Sequence, residues 1–485
     1  MRRTLPAWPL PEKILQFGEG NFLRGFADWQ VDVLNRSGSF NGSIVVVQPV
    51  KQGMVDVLAQ QNGLYTLLLR GIQNGKLVES REVISSISRA LNPYSQWVEV
   101  VALARSKDLR FVFSNTTEAG IAYADEPYQP KDCPTTFPAK VTSLLYERFG
   151  AVNGDPTKGL IFLPCELIEH NGTKLKEYVL KYAVTWKLGD AFVGWVKSAN
   201  HFLNTLVDRI VPGYPKEEAA KLAIELGYDD KLIVTGEIFH LWVIEGPEHL
   251  ADEIPFQRVG LNVVWTRDMT PYRSRKVRVL NGAHTASVLG AFLAGLNTVG
   301  EMMKDPVFGR FVHQAVFDEI VPQLNGADDH RQYAEDVMER FNNPFIKHEL
   351  LSISLNSVSK WRVRVLPSLL DFFASTGKLP PALTFSLAAL IRFYDGTPVS
   401  DCELRGTRNG QPYPIRDDSD ILQFFAEQWK RVHSGGNLHP LVEAVLGNGH
   451  FWGRTLTELT GFASAVEAHL QRLVQGNVQP QLECG

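Results

Sequence analysis

At 485 residues the chain exceeds the size at which a single hydrophobic core stops growing, so two domains are expected. Its 44% hydrophobic and 21% charged composition is that of an ordinary globular protein and argues against extended disorder. The formal net charge of -4, with no block of Lys and Arg to contact many phosphates, argues against nucleic acid as a partner.

The chain opens on two arginines followed by prolines and charges, which is not the apolar run of a secretory signal. From residue 14 to about 165, short apolar runs at 14–17, 44–47, 65–69, 111–113 and 160–163 alternate with helical patterns at 26–34, 95–104 and 139–149. That alternation predicts an α/β domain with a doubly wound parallel sheet. Helical spacing follows at 174–186 and 216–226, and the apolar run 238–244 is expected to return to the sheet. After Pro271 the pattern is mostly α-helical, which sets the domains at 1–270 and 271–485, with the cleft between them as the default place for a site. The most apolar stretch, 381–390, is shorter than the roughly 20 residues that span a bilayer and predicts a buried helix, so no membrane contact is expected.

Four cysteines (133, 165, 402 and 484) form no C-x-x-C pair, and the twelve histidines form no H-x-x-x-H cluster near a cysteine. Neither a disulfide framework nor a zinc site is therefore expected, and reduced thiols fit a cytoplasmic protein.

The first chemical motif is Phe17-Gly18-Glu19-Gly20-Asn21-Phe22-Leu23-Arg24, between the first strand and the first helix. Glycines there allow a pyrophosphate to approach the backbone, and Arg24 is a candidate phosphate partner, although Leu23 replaces the third glycine of G-x-G-x-x-G. At the end of the second strand Gln48 stands where an NAD site usually has an acid; with Lys51 nearby, NAD and NADP both stay open. Asn115, Thr116, Thr117 and Glu118 follow another strand and read equally as a ligand-binding turn or a helix cap.

Lys276, Asn281 and His284 fall within an arc of about 140° on an α-helix, so one face can present all three. Alcohol oxidation needs a base for the hydroxyl proton and donors for the oxygen, which Lys, Asn and His supply. A lysine used this way needs its pKa lowered by burial or by nearby positive charge, for which Arg273 and Arg275 are candidates. On spacing alone the three read more readily as a solvated lysine, a capping asparagine and a core histidine.

The glycine motif together with Lys-x-x-x-x-Asn-Gly-x-His resembles the mannitol dehydrogenase family of polyol-specific long-chain dehydrogenases. Further matches are Thr117-Glu118-Ala119-Gly120, Val207-Asp208-Arg209-Ile210, Glu237 with Trp242-Val243-Ile244-Glu245, and Ser359-Lys360 through Arg364 and Pro367. The resemblance implies an N-terminal Rossmann-type domain, a helical C-terminal domain and metal-independent hydride transfer at their interface. It also implies Lys276 as general acid and base, Asn281 as oxyanion donor, His284 as substrate-orienting group, and Asp208, Lys360 and Arg364 on the substrate side.

One departure is Cys165-Glu166-Leu167, where many members read Cys-Asp-Asn; either Asn171 takes over for the missing asparagine or Asn281 works without it. That segment resembles a sugar-acid branch of the family that interconverts D-tagaturonate and D-altronate with NAD. A small sugar-acid substrate is then expected, its carboxylate facing Arg273, Lys360 or Arg364. The rivals are the same chemistry on fructuronate or fructose, and a non-catalytic dinucleotide sensor. Monomer and dimer remain equally compatible with the sequence.

Overall fold

Along β1 (Glu12–Phe17) successive side chains enter two different cores. Ile14 packs with Phe26, Leu34 and Trp242 on one face of a sheet, and Leu15 and Phe17 pack with Phe137, Leu144 and Val179 on the other. A strand covered on both faces needs apolar residues at nearly every position, which is why the run is continuous in the sequence. The same alternation divides β2 (Ser43–Val47) into Ile44 and Val46 against Val45 and Val47. The computed structural model describes residues 10–117, 119–324 and 327–480.

β3 (Tyr65–Gln73) and β4 (Lys76–Ile84) form an antiparallel hairpin around Asn74 and Gly75, both at positive φ as a type I′ turn requires. β5 (Ile87–Leu91), β6 (Phe111–Ser114), β7 (Ile161–Pro164) and β8 (His201–Phe202) complete the main sheet, whose order is β5-β2-β1-β6-β7-β8 with every pairing parallel. The helix Ala27–Ser37 covers one face, while Pro93–Leu103 and Phe137–Ala151 cover the other, giving the doubly wound arrangement. The chain builds outward from β1 to one side and then returns to build the other, so the topological switch lies between β1 and β6.

Two strand expectations need correction. The run 65–69 belongs to the hairpin, and the place beside β2 is taken by Ile87–Leu91. The run 238–244 does not rejoin the main sheet: β11 (Leu241–Glu245) pairs with β9 (Asn204–Asp208) and β12 (Val263–Thr266) in a separate sheet, while β10 (Val234–Glu237) extends the hairpin at β3.

The chain divides into two compact units between Met269 and Thr270. The second is built on two buried helices, Gly282–Leu293 and Pro381–Phe393, which pack against each other. It also holds a three-stranded antiparallel sheet of β13 (Gly396–Ser400), β14 (Glu403–Arg408) and β15 (Gln411–Ile415), which the helical reading of this region missed. Among the described residues no helix is long and apolar enough to cross a membrane.

Candidate functional site

In the first unit the predicted cofactor residues gather at the C-terminal ends of the parallel strands. Gly18 has φ +126°, its N–H donates to Val47 O at 2.9 Å, and a Cβ there would lie 2.8 Å from Asn115 O. Conformation and space therefore both demand glycine, and the turn is clamped between β2 and the segment after β6. Gly20 is exposed with open space around any added Cβ, so the approach to the turn is unobstructed there. Asn21 and Phe22 follow half-buried, Phe22 stacking on Phe26 at 5.0 Å. Phe17 itself is a core residue packed on Phe137, so only its backbone belongs to the turn.

Arg24 does not sit where a phosphate partner would. Only 1% exposed, it donates to Glu19 O at 3.1 Å, Asn21 Oδ1 at 2.8 Å and Leu232 O, and packs over the Tyr65 ring. A guanidinium with its donors committed inward braces the glycine turn from below.

Gln48 is buried at the tip of β2, its amide N–H donating to Val50 O at 2.8 Å and Lys51 O at 3.0 Å. After β6, Asn115 donates to Cys165 O at 2.8 Å, and Thr116 donates through both its backbone N–H and its hydroxyl to Glu166 Oε1 at 2.9 Å. Burial raises the Glu166 carboxyl above the usual carboxylate range, while donors from Thr116 and Ser114 pull it back. Thr117 is exposed at φ +75°, and Glu118 lies outside the described residues.

Asn171 is a correction. Its Nδ2 donates to the carbonyls of Pro164, Glu166 and Thr205 at 3.0 to 3.1 Å, and its Oδ1 accepts from Thr205 N at 2.9 Å. With 1% exposure and its amide fully engaged, it fastens β7, the loop after it and β9 together and has nothing left for a substrate oxygen. Leu167, in the position of the missing family asparagine, is 65% exposed. Asp208 is buried on β9 opposite Leu241.

In the second unit one continuous helical stretch changes its hydrogen bonding twice, from α (Thr270–Arg275) to π (Lys276–Asn281) and back to α (Gly282–Leu293). The N–H of Gly282 reaches the carbonyl of Val277, five residues back. In such a turn residue i+5 sits close to residue i, so Lys276 and Asn281 approach one azimuth more nearly than an α-helix would allow. Both are half-buried, as is Arg273 on the preceding turn. Arg275 packs over the Tyr333 ring at 4.5 Å.

His284 lies on the same stretch, stacked on Phe341 at 4.1 Å and meeting His348 edge-on at 5.3 Å. Its Nε2 has no hydrogen-bond partner among the described residues. Burial, then the nearby His348, Arg340 and Arg364, hold its pKa well below the ordinary imidazole value, so it is neutral at neutral pH.

The helix Ser357–Arg364 adds Lys360 and Arg364, one turn apart. Its first turn is held by Asp417, which accepts from Val358 N at 3.4 Å and from the Tyr394 hydroxyl. Its last turn lies against Gly282, where a Cβ would stand 3.0 Å from Arg364 O. Lys360 donates to Ile353 O at 3.0 Å, whereas the Arg364 guanidinium has no ion pair or hydrogen bond among the described residues. Burial lowers the pKa of both, that of Lys360 further through Arg364. The result is a desolvated pair of cations, Lys360 and Arg364, with Arg364 and Arg340 near a neutral His284; burial lowers the pKa of His348 as well.

Sequence reasoning missed Arg340, and it assigned no role to His348, although Ile346-Lys347-His348 strengthens the family resemblance, or to Glu19, although it lies inside the glycine motif. A cavity of about 1150 Å³ between β13–β14 and the helix Ser419–His433 contains neither Lys360, Arg364 nor His284. Among the described residues no three His, Cys, Asp or Glu side chains converge as a metal site.

Residues 12–258 match the mannitol dehydrogenase Rossmann domain and residues 268–474 the mannitol dehydrogenase C-terminal domain. The chain is 46% identical over 481 residues to the altronate oxidoreductase of Yersinia enterocolitica serotype O:8 / biotype 1B, covering 99% of this chain and 98% of that one. It is also 46% identical over 474 residues to the altronate oxidoreductase of Bacillus subtilis strain 168, covering 98% and 95%. Among solved structures, a D-sorbitol dehydrogenase in substrate-free form shares the fold with TM-score 0.77 at 19% identity, over 97% of this chain and 94% of that one. Pseudomonas fluorescens mannitol 2-dehydrogenase, in a ternary complex with NAD and D-mannitol, does so with TM-score 0.66 at 24% identity, over 98% and 94%. The chain belongs to the mannitol dehydrogenase family.

Proposed function

We propose that the protein catalyses the reversible, NAD-dependent reduction of D-tagaturonate to D-altronate. The observation that carries the sugar-acid reading is Arg364, a desolvated guanidinium without an ion pair or hydrogen bond among the described residues, near Lys360 and His284. Buried cations are normally paired, so Arg364 would be completed by a carboxylate, which a neutral polyol lacks. Identity of 46% to altronate oxidoreductases over nearly the whole chain supports the same substrate.

The first unit fits a dinucleotide: an unobstructed glycine turn at the switch point, with Gln48 and Asn115 to Thr117 around it. The hydride for the substrate carbonyl carbon comes from reduced nicotinamide when it is bound. Lys276 gives its proton to the carbonyl oxygen as that oxygen becomes a hydroxyl, and takes it back in oxidation. Asn281 donates a hydrogen bond to the developing oxyanion, and neutral His284 orients a substrate hydroxyl through Nε2. Arg364 and Lys360 hold the carboxylate, fixing which carbonyl meets the lysine. Arg273, one turn before Lys276, is a further partner for the carboxylate.

The test is NADH oxidation on a panel of tagaturonate, fructuronate and fructose. Tagaturonate is expected to give the highest kcat/KM; a preference for fructose would reject the sugar-acid reading. Lys276→Ala should lower kcat by about 10²- to 10⁴-fold while NADH still binds, and surviving turnover would remove the lysine from its role. Arg364→Gln should raise KM for the sugar acid far more than for the neutral ketose.

A further inference from the structure

Doubly wound dinucleotide sites usually recognise the adenosine ribose with an acidic residue at the tip of the second strand. Here that tip carries Gln48. We infer that Glu19, from inside the glycine turn, supplies the missing carboxylate and, with Gln48, selects a ribose 2′-hydroxyl over a 2′-phosphate. The inference rests on reading the first unit as a nicotinamide dinucleotide site.

The two side chains converge on one residue of the loop after β2. A Cβ at Gly53 would lie 2.2 Å from Glu19 Oε1 and 2.5 Å from Gln48 Oε1. The carboxylate is anchored there by the N–H of Met54 and is only 8% exposed, so it is a built feature of the turn. The Gln48 amide cannot rotate to offer its N–H groups outward without abandoning the carbonyls of Val50 and Lys51. The two side chains therefore place two acceptor oxygens, one of them a carboxylate's, at Gly53 on the loop after β2. Acceptors suit the hydroxyl donors of a ribose and oppose a phosphate, which needs donors and positive charge. Of the cations in the glycine motif and the loop after β2, Arg24 is turned inward and Lys51 is exposed.

The experiment uses the full chain without substrate and reads binding of NADH and NADPH by energy transfer from tryptophan to the bound reduced nicotinamide. The wild type should bind NADH at least about tenfold more tightly than NADPH, as expected of one fixed charge near the phosphate. Glu19→Gln should bring the two affinities to within about threefold, NADH weakening and NADPH strengthening. Equal affinities in the wild type, or an unchanged ratio in the variant, would overturn the inference.

A variant-free measurement covers the case in which Glu19→Gln does not fold. Displacement of NADH from the wild type by 5′-AMP and by 2′,5′-ADP should favour 5′-AMP at low salt, with the gap narrowing as salt screens the repulsion. A gap in the opposite sense, or one indifferent to salt, would also overturn it. Failure of both dinucleotides to bind would bring down the dehydrogenase reading itself, and this inference with it.

Discussion

Asn171 and Arg24 both sit in motif positions that suggest a ligand, and both face inward, because their hydrogen-bond capacity is consumed by backbone carbonyls. Asn171→Ala should accordingly lower stability by about 2–4 kcal/mol in denaturant unfolding, since it strands several buried groups at once. KM of the folded enzyme should stay within about twofold, a shift that a substrate ligand would exceed. Asp28 offers a pH test. It is fully buried, its Oδ1 has no partner among the described residues, and burial pushes its pKa up to about 7. Because the folded pKa lies above the unfolded one, the folded state binds more protons between about pH 4 and 7, and the associated stability is lost as pH rises through that window. Asp28→Asn should remove this dependence, so that the variant gains on the wild type by about 1.4 kcal/mol per pH unit across the window. A constant difference in unfolding free energy would refute the assignment. At this scale the glycine motif was legible because Gly18 must be glycine on conformational grounds; the direction of a side chain such as Arg24 was not, because nothing local specifies it.

The π-turn is the element that brings Lys276 and Asn281 to one face. A π-turn differs from an α-turn by one inserted residue, so deleting Val277 should restore a regular α-helix. Stability in denaturant should hold or rise and kcat should stay within about tenfold, because Lys276 and Asn281, then four residues apart on an α-helix, still share that face. A fall in kcat of about 100-fold or more would show that the π-turn holds the pair in a geometry an α-turn does not reproduce. The arc drawn on an α-helix placed Lys276, Asn281 and His284 on one side, but the change of period could not be foreseen, since the same residues are compatible with either hydrogen-bonding pattern. The missed hairpins were legible in principle: Asn74-Gly75 and Asn409-Gly410 both sit at φ between +51° and +76°, the type I′ pattern that this dipeptide favours. Counting apolar runs found only the buried strand at 65–69, because its partner β4 is largely exposed and β14 and β15 are only partly buried.

At the scale of the whole molecule, the chain forms two compact units; the first holds one core on each face of its sheet, and the glycine turn and strand-tip residues lie entirely in it. NADH at 100 times its Kd should add about 2.7 kcal/mol to the stability of that unit, seen in calorimetry as a rise of about 5 °C or more in its transition. A transition that ignores NADH would move the cofactor elsewhere. The order and kind of elements around β1 followed from the residues alone, since a strand buried on two faces and a glycine forced to positive φ are local demands that a chain must write explicitly. Which strand lies beside which, whether a polar side chain turns in or out, and where uncompensated charge collects came only with the folded chain. Those outcomes are sums over partners far apart in sequence: Arg364 lies against Gly282, Asn171 joins β7 to β9, and Glu19 meets Gln48 at Gly53.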